Sequence, residues 1–532
     1  MNPPRGLQDW DVVELKPRFS IFRAASTVAL FTLLSRIFGF ARDMVVANYF
    51  GTKSMADAFF IAFRIPNMLR QLTAEGALSA AFVPLFAKTA IEDRAKAFRF
   101  ANNLLLTLSI FLTAITVAAI IFAPLLLKGI AVGYTSDPEK FQLTVHLTRL
   151  LFPYLVLISL AAVFMGMLNT MHHFSSPAAS PVLLNVAIIL AAVFLRDAFS
   201  LPVYSLVVGV LVGGFLQLAV QIPFAIREGW VFEWVFEPGH ELIRRIVLLT
   251  IPATFGIAVA EINLFVDTVL ASLLSGGSVS YLYYAQRLVQ FPLGIFGVAM
   301  STALLPALSV QSGRREIGQM IETISKSYRA TMFLIVPSMV GLFALREPIV
   351  QLIYEHGEFT HFSTQQTAFT LAFFCVGLLG FSGVKIFVSA FYAMGDTKTP
   401  VKVAAITMLL NIIFNLILMK PLQAGGLALA TSLSSTINML TLVWLLRKRL
   451  GGLDGPRIWR SFARIGAASL AMAAAVWLAW DVIFGRGYTV AGLTAMLLLA
   501  VAVYLGAAAL LKLEEIEYVT AALRRKFSAK KA

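Results

Sequence analysis

The sequence predicts an all-α polytopic membrane protein of about 14 transmembrane helices, built as two six-helix lobes related by an internal repeat plus two C-terminal helices. Three observations carry this. Of 532 residues, 59% are hydrophobic and 13% charged, with a mean hydropathy of +0.82, well outside the composition of a soluble protein. Fourteen stretches are each apolar over about the 20 residues that a helix needs to cross a bilayer. Four landmarks then recur at a nearly constant offset.

In order, the predicted spans are 24–50, 56–87, 98–128, 141–168, 181–199, 204–226, 243–274, 279–308, 325–354, 364–394, 401–420, 424–446, 461–482 and 489–511. Residues 1–20 are mixed in charge and lead into a full-length span rather than a short apolar core with a cleavage site. They therefore read as a cytoplasmic segment, not a cleaved signal. Pro84 matches Pro306, Pro124 matches Pro348, Pro177 matches Pro400 and Asn185 matches Asn411, at offsets of 222, 224, 223 and 226. Six spans separate the copies, so both share one orientation, and the repeat axis runs along the membrane normal. This divides the chain into lobes at 21–228 and 229–450, a helix pair at 451–512 and a basic cytoplasmic tail at 513–532.

Charge sets the orientation. With the N-terminus inside, 29 of the 43 lysines and arginines fall on inner segments, 7 on outer segments and the other 7 within spans. That bias puts both termini in the cytoplasm. The net charge of +15 is thus a topology signal; the basic tail suits anionic lipid, and no nucleic-acid partner is expected. The single Cys375 excludes an intrachain disulfide.

The first two spans are the most informative. Between Ser35 and Pro84 they hold Arg36, Arg42, Asp43, Asp57, Arg64, Arg70 and Glu75. An Arg or Asp at mid-membrane costs roughly 2.5–3.5 kcal/mol, so such a cluster must face a wet cavity or an anionic ligand. Seven-residue spacing puts Arg36 with Asp43, and Asp57 with Arg64, on shared helix faces, leaving Arg42 and Arg70 to project elsewhere. Pro66 is expected to bend the second helix, and Arg287 lies five residues before its repeat counterpart Pro292. Guanidiniums converging from both lobes suit a phosphate or diphosphate, which they grip bidentately. The competing reading makes them interhelical glue, paired with Asp43, Asp57 and Glu75.

Enzyme signatures are missing. There is no G-x-x-x-x-G-K-[ST] loop, no H-E-x-x-H and no C-x-x-C, so neither an enzyme nor a nucleotide-driven pump is expected. His172 and His173 point apart on a helix, and His356 lies in an acidic outer loop, so these histidines read as solvated or structural.

The segments "SRIFGFARDMVVANYFG", "ADAFFIAFRIPNMLRQLTAEGALSAAFVP", "YYAQRLVQFPLGIFGVAMSTALLP" and "FYAMGDTKTPVK" resemble the MurJ (MviN) family of bacterial lipid II flippases, within the multidrug, oligosaccharidyl-lipid and polysaccharide exporter superfamily. The resemblance implies alternating-access export of lipid II, the undecaprenyl-diphosphate-linked peptidoglycan precursor, from the inner to the outer leaflet of the bacterial inner membrane. It places substrate-binding residues at Arg36, Arg42, Asp57, Arg70 and Arg287, with Asp43 and Glu75 in matching positions. Gln290 stands where some members carry an acid. The last two helices would form a groove for the lipid tail. The partners expected are lipid II, membrane lipids and the cell-wall synthesis machinery. A cation-coupled multidrug exporter, or an exporter of another polyprenyl-diphosphate sugar, is the alternative within the superfamily.

Glu261, Asn263 and Asp267 on the seventh helix, with Asn411, Asn415 and Thr431, bring together the oxygen ligands that suit a small cation. The resemblance implies a sodium site at Asp267, Asn411, Asn415, Thr431 and the Leu427 carbonyl, and no other cofactor. Some relatives carry an acid where Asn415 stands.

Overall fold

The computed structural model describes residues 21–71, 78–485 and 487–517, and among these it contains helices and no strands. α1 (Ile21–Phe50) ends at a turn on Gly51. α2 (Ser54–Arg70) and α3 (Ser79–Glu92) make up the second pass, and α4 (Arg94–Ile121) the third. A short α5 (Ala123–Ile130) and a 3₁₀ turn at Val132–Ser136 lead to α6 (Pro138–Leu151) and α7 (Pro153–Thr170). α8 (Ser175–Phe194), α9 (Tyr204–Ala219) and α10 (Ile222–Arg227) complete the first half.

The second half repeats this order. α11 (Glu241–Ser272) is followed by α12 (Ser278–Pro292), a π-helical turn at Leu293–Val298 and α13 (Ala299–Gly313). Next come α14 (Ile317–Ala344), the short α15 (Arg346–Tyr354) and α16 (His361–Ala393). α17 (Lys398–Leu450) is a run of 53 residues that breaks at Gln423, where φ is 49° and ψ −131°. α18 (Gly455–Leu478), a short α19 (Trp480–Phe484) and α20 (Val490–Leu510) close the chain. Ten of these helical stretches are long and apolar enough to cross a membrane. With α17 divided at Gln423, and α1, α2 with α3, and α11 also taken as passes, the order is compatible with the fourteen expected.

Local chemistry explains where the helices start. Asp93 accepts from the amides of Ala95 and Lys96 at the head of α4. Asp137 does the same for the Lys140 amide at the head of α6, with Pro138 in the first turn, and Thr360 caps α16. The repeated prolines take equivalent places: Pro84 within α3 and Pro306 within α13, Pro124 and Pro348 in the first turns of the short α5 and α15, and Pro177 and Pro400 in the first turns of α8 and α17. Pro66 lies buried within α2, whose helical run continues through it to Arg70.

Arg329, counted from sequence among the inner basic residues, is paired inside the bundle. It is 2% exposed on α14, with its guanidinium 2.8 Å from Glu515 and 3.1 Å from Glu514. Ser461 of α18 donates to the same Glu515 at 2.8 Å, and the Tyr504 hydroxyl of α20 donates to the Phe333 carbonyl at 2.6 Å. A buried ion pair is costly to break on one side alone, so these bonds fix α18 and α20 on α14.

Candidate functional site

The two halves meet first at the end of the bundle that carries Gly51. Gly51 and Gly357 both have positive φ, 58° and 56°, and a Cβ on either would overlap the opposite strand of backbone, at Glu358 and Asn48 respectively. Only glycine allows this approach. The Glu358 amide donates to the Asn48 carbonyl at 2.8 Å, Thr52 and Ser363 share a hydroxyl hydrogen bond of 2.7 Å, and Lys53 pairs with Glu358.

Asp57 anchors this seam. It is 1% exposed. One carboxylate oxygen accepts from the Gly277 amide at 2.8 Å and Lys140 Nζ at 3.0 Å; the other accepts from the Ser280 amide at 3.0 Å and the Ser280 hydroxyl at 2.6 Å. A carboxylate of the first half therefore caps the N-terminus of α12 in the second, where the helix dipole favours negative charge. Lys140 Nζ also lies 3.9 Å from the centre of the Tyr134 ring. Burial, reinforced by the Asp57 charge, pushes the Tyr134 hydroxyl far above the ordinary tyrosine range, so it stays protonated. The pairing of Asp57 with Arg64 that seven-residue spacing suggested is not made, because Lys140 and the α12 amides satisfy the carboxylate instead.

Deeper in the bundle a cavity of about 460 Å³ opens between the halves. At its centre Asp43 is shared. Arg42 Nη2 lies 2.7 Å from Asp43 Oδ1, Tyr283 donates its hydroxyl to the same oxygen at 2.8 Å, and Arg287 Nε lies 3.1 Å from Oδ2. The Tyr283 hydroxyl also accepts from Arg42 at 3.1 Å and from Arg287 at 3.2 Å. Its ring stacks on Phe60 at 4.0 Å, so α1, α2 and α12 together fix the group. Arg64 reaches across to the Leu264 carbonyl at 3.3 Å, and Arg70 Nε bonds the Asn67 side chain at 3.1 Å.

Of the substrate-binding residues expected from sequence, the structure brings Arg42, Asp43, Arg70 and Arg287 to this cavity. Arg36 stands outside its lining, exposed, against Gly294 of the π-helical turn, and it is not paired with Asp43, whose oxygens face Arg42, Tyr283 and Arg287. Asp57 is in the seam rather than the cavity, and Glu75 lies outside the described residues. Arg64, placed from sequence on a helix face with Asp57, lines the cavity, as do Asn67, Gln217, Gln286 and the repeat landmark Asn185, none of which the sequence marked as a site residue. Among the described residues the charged lining is Arg42, Arg64, Arg70 and Arg287 against Asp43 and Asp267. The excess is positive.

On the side of the second half, Asp267 joins the cation constellation. Asn415 Nδ2 lies 2.6 Å from Asp267 Oδ1 and 2.7 Å from the side-chain amide of Asn411, and Thr431 lies between Asp267 Oδ2 at 3.1 Å and the Leu427 carbonyl at 3.0 Å. The structure therefore brings all five expected residues together. The side-chain oxygen of Asn415 is buried without a partner, an acceptor turned to a place that holds no donor. Rotating this amide would direct an oxygen instead of an NH₂ group at Asp267, so the donor set fits a hard cation such as sodium. Glu261 is buried nearby on α11.

An all-helical membrane bundle whose halves close around an internal, net-cationic cavity defines a membrane transporter. The fold is shared with a multidrug resistance MATE family transporter of the MOP superfamily in an inward-facing conformation, at a TM-score of 0.63 and 16% identity over 81% of this chain and 99% of that one. It is closer to a structure described as lipid II flippase MurJ in an inward closed conformation, with a TM-score of 0.77 and 29% identity over 91% and 98% of the two chains. Residues 46–499 match the family described as lipid II flippase MurJ. The lipid II flippase MurJ of Burkholderia cenocepacia is 38% identical over 85% of this chain and 89% of its own length, and the probable lipid II flippase MurJ of Vibrio cholerae 36% identical over 94% and 98%. The chain belongs to the MurJ family of lipid II flippases.

Proposed function

We propose that this protein translocates lipid II from the inner to the outer leaflet of the bacterial inner membrane by alternating access, with no catalytic step. The observation that carries this reading is the cavity lining: four arginines drawn from both halves against two carboxylates. Arg42 and Arg70 in the first half and Arg287 in the second receive the diphosphate, and Arg64 adds a fourth cation. Asp43 holds Arg42 and Arg287 within reach of one another until substrate competes for them. At about 460 Å³ the cavity matches a drug-sized ligand and is too small for a disaccharide-pentapeptide, which enters only as the halves part. A multidrug exporter would instead favour acids and aromatics, to attract cations. Depleting the protein and measuring which leaflet holds lipid II tests the proposal: accumulation in the inner leaflet supports it, and an unchanged distribution with normal growth refutes it.

Both termini are assigned to the cytoplasm, which makes the Gly51–Gly357 seam the outer gate, closed here, and leaves the cavity to be filled from inside. Cysteines near Gly276 or Lys420 should then react with an impermeant thiol reagent from outside, whereas those near Gln311 or Asp454 should not. The reverse pattern would invert the assignment.

A second reading concerns sodium and is favoured by the orphaned Asn415 oxygen. Asp267, Asn411, Asn415, Thr431 and the Leu427 carbonyl would hold the ion, coupling its gradient to movement of the second half. Sodium should raise the thermal stability of the purified protein relative to choline, and Asp267→Ala should remove that difference while leaving headgroup binding largely intact. Equal stability in the two salts would leave the cluster as a hydrogen-bond network between α11 and α17.

A further inference from the structure

The segment joining the halves, residues 228–240, has no helix, yet it is tied along α4. Asn102 donates to the Val231 carbonyl at 2.8 Å and accepts from the Trp230 indole at 2.9 Å. Asn103 donates to the Glu237 carbonyl at 2.9 Å and accepts from its amide at 2.8 Å. Two consecutive asparagine side chains thereby satisfy the backbone at both ends of the 231–237 run. Arg94 with Glu228 and Arg99 with Glu237 add ion pairs at 3.0 and 3.1 Å.

This tethering presents an apolar run outward. Trp230 is buried against Phe164, but Phe232 is 47%, Phe236 53% and Trp234 84% exposed. Phe232 meets Trp230 and Trp234 edge to face at 6.3 and 5.3 Å, an aromatic ladder leading out from the core. Trp234 also borders a groove of about 790 Å³ whose remaining lining is one face of α4 and the residue after it, from Leu106 to Phe122. That face belongs to a membrane span and leaves Ile110, Val117 and Ile121 uncovered, so the aromatic run continues the lipid-facing surface.

We propose that the linker between the halves is an interfacial membrane anchor. Asn102 and Asn103 zip it to α4 so that Phe232, Trp234 and Phe236 lie in the headgroup–acyl boundary of the bilayer, with a lipid chain in the groove beside Trp234. Two physical rules meet in it. Aromatic side chains gather at the membrane interface, where their apolar bodies leave water while flanking charges stay wet; Glu233, Glu237 and Arg99 supply those charges. Non-helical backbone at this depth must find hydrogen-bond partners within the protein, and the two asparagines supply them. The anchor gives the covalent link between the halves a fixed depth while they rock.

The test uses spin labels on the full-length protein in lipid vesicles, with the sole cysteine removed as Cys375→Ser. A nitroxide on Trp234→Cys should collide with oxygen in preference to water-soluble NiEDDA, with a ratio several-fold higher than for a label on Gly239→Cys, an open position on the same linker. Phe236→Cys gives a second site should the first fail to insert. In the Asn102→Ala, Asn103→Ala double variant the label at 234 should gain mobility and lose its preference for oxygen. NiEDDA access at 234 and 236 equal to that at 239 overturns the proposal, as does dipolar broadening showing that a second copy covers the run. An unchanged signal in the double variant overturns the zipper.

Discussion

Arg287→Ala, Arg42→Ala and Arg70→Ala should each abolish lipid II export while the protein remains inserted at wild-type levels. Charge-assisted hydrogen bonds are typically worth about 1.5–3 kcal/mol each, so losing one guanidinium weakens diphosphate binding roughly 10- to 150-fold. Arg287 should be the most sensitive. It supplies the second half's cation, and its loss removes one of the two arginines that hold Asp43. Lysine keeps the charge but not the planar fork, so Arg→Lys variants should retain partial export at best. Lipid II orientation and growth on depletion of the native protein are the readouts. Normal export by all three alanine variants would reduce these arginines to packing elements and end the diphosphate assignment.

Asp57→Ala should be nearly as damaging, by a different route. It strands Lys140, 8% exposed, and uncaps α12; removing one partner of a buried ion pair costs about 3–5 kcal/mol. That loss falls on the closed seam alone, so the population should move towards the state in which the halves are parted at Gly51. Cysteines at Asn48 and Glu358 should cross-link efficiently in the native background and poorly with Asp57→Ala. Lys140→Met should be milder, because Asp57 keeps the Gly277 and Ser280 donors. Unchanged cross-linking and export in Asp57→Ala would remove Asp57 from the gate.

The contrast between these residues shows how far the sequence could be read. The helical class, the repeat and the gathering of first-span and second-span charges at an internal cavity were legible, because burying charge in hydrocarbon needs a reason wherever it occurs. Helical spacing could put Asp43 and Asp57 on faces with arginines seven residues away. It could not see that Asp43 meets Arg287 and that Asp57 meets Lys140, since both pairs depend on how separate helices pack. Lys140 gave no signal, for it sits two residues beyond Pro138 in what reads as an outer loop. Asn102 and Asn103 passed unremarked because neutral amides in an apolar run are silent until the backbone they satisfy comes alongside.

The bonds from Arg329 to Glu514 and Glu515, with Ser461 and Tyr504, make α18 and α20 passengers of the second half. Whatever rotation carries α14 carries them by the same angle. If a lipid tail lies along this pair while its diphosphate rests among arginines from both halves, tail and headgroup are held in different frames of reference. Each turn of the cycle then changes the distance between them, so the flexible polyprenyl chain must take up the slack that the rigid halves create.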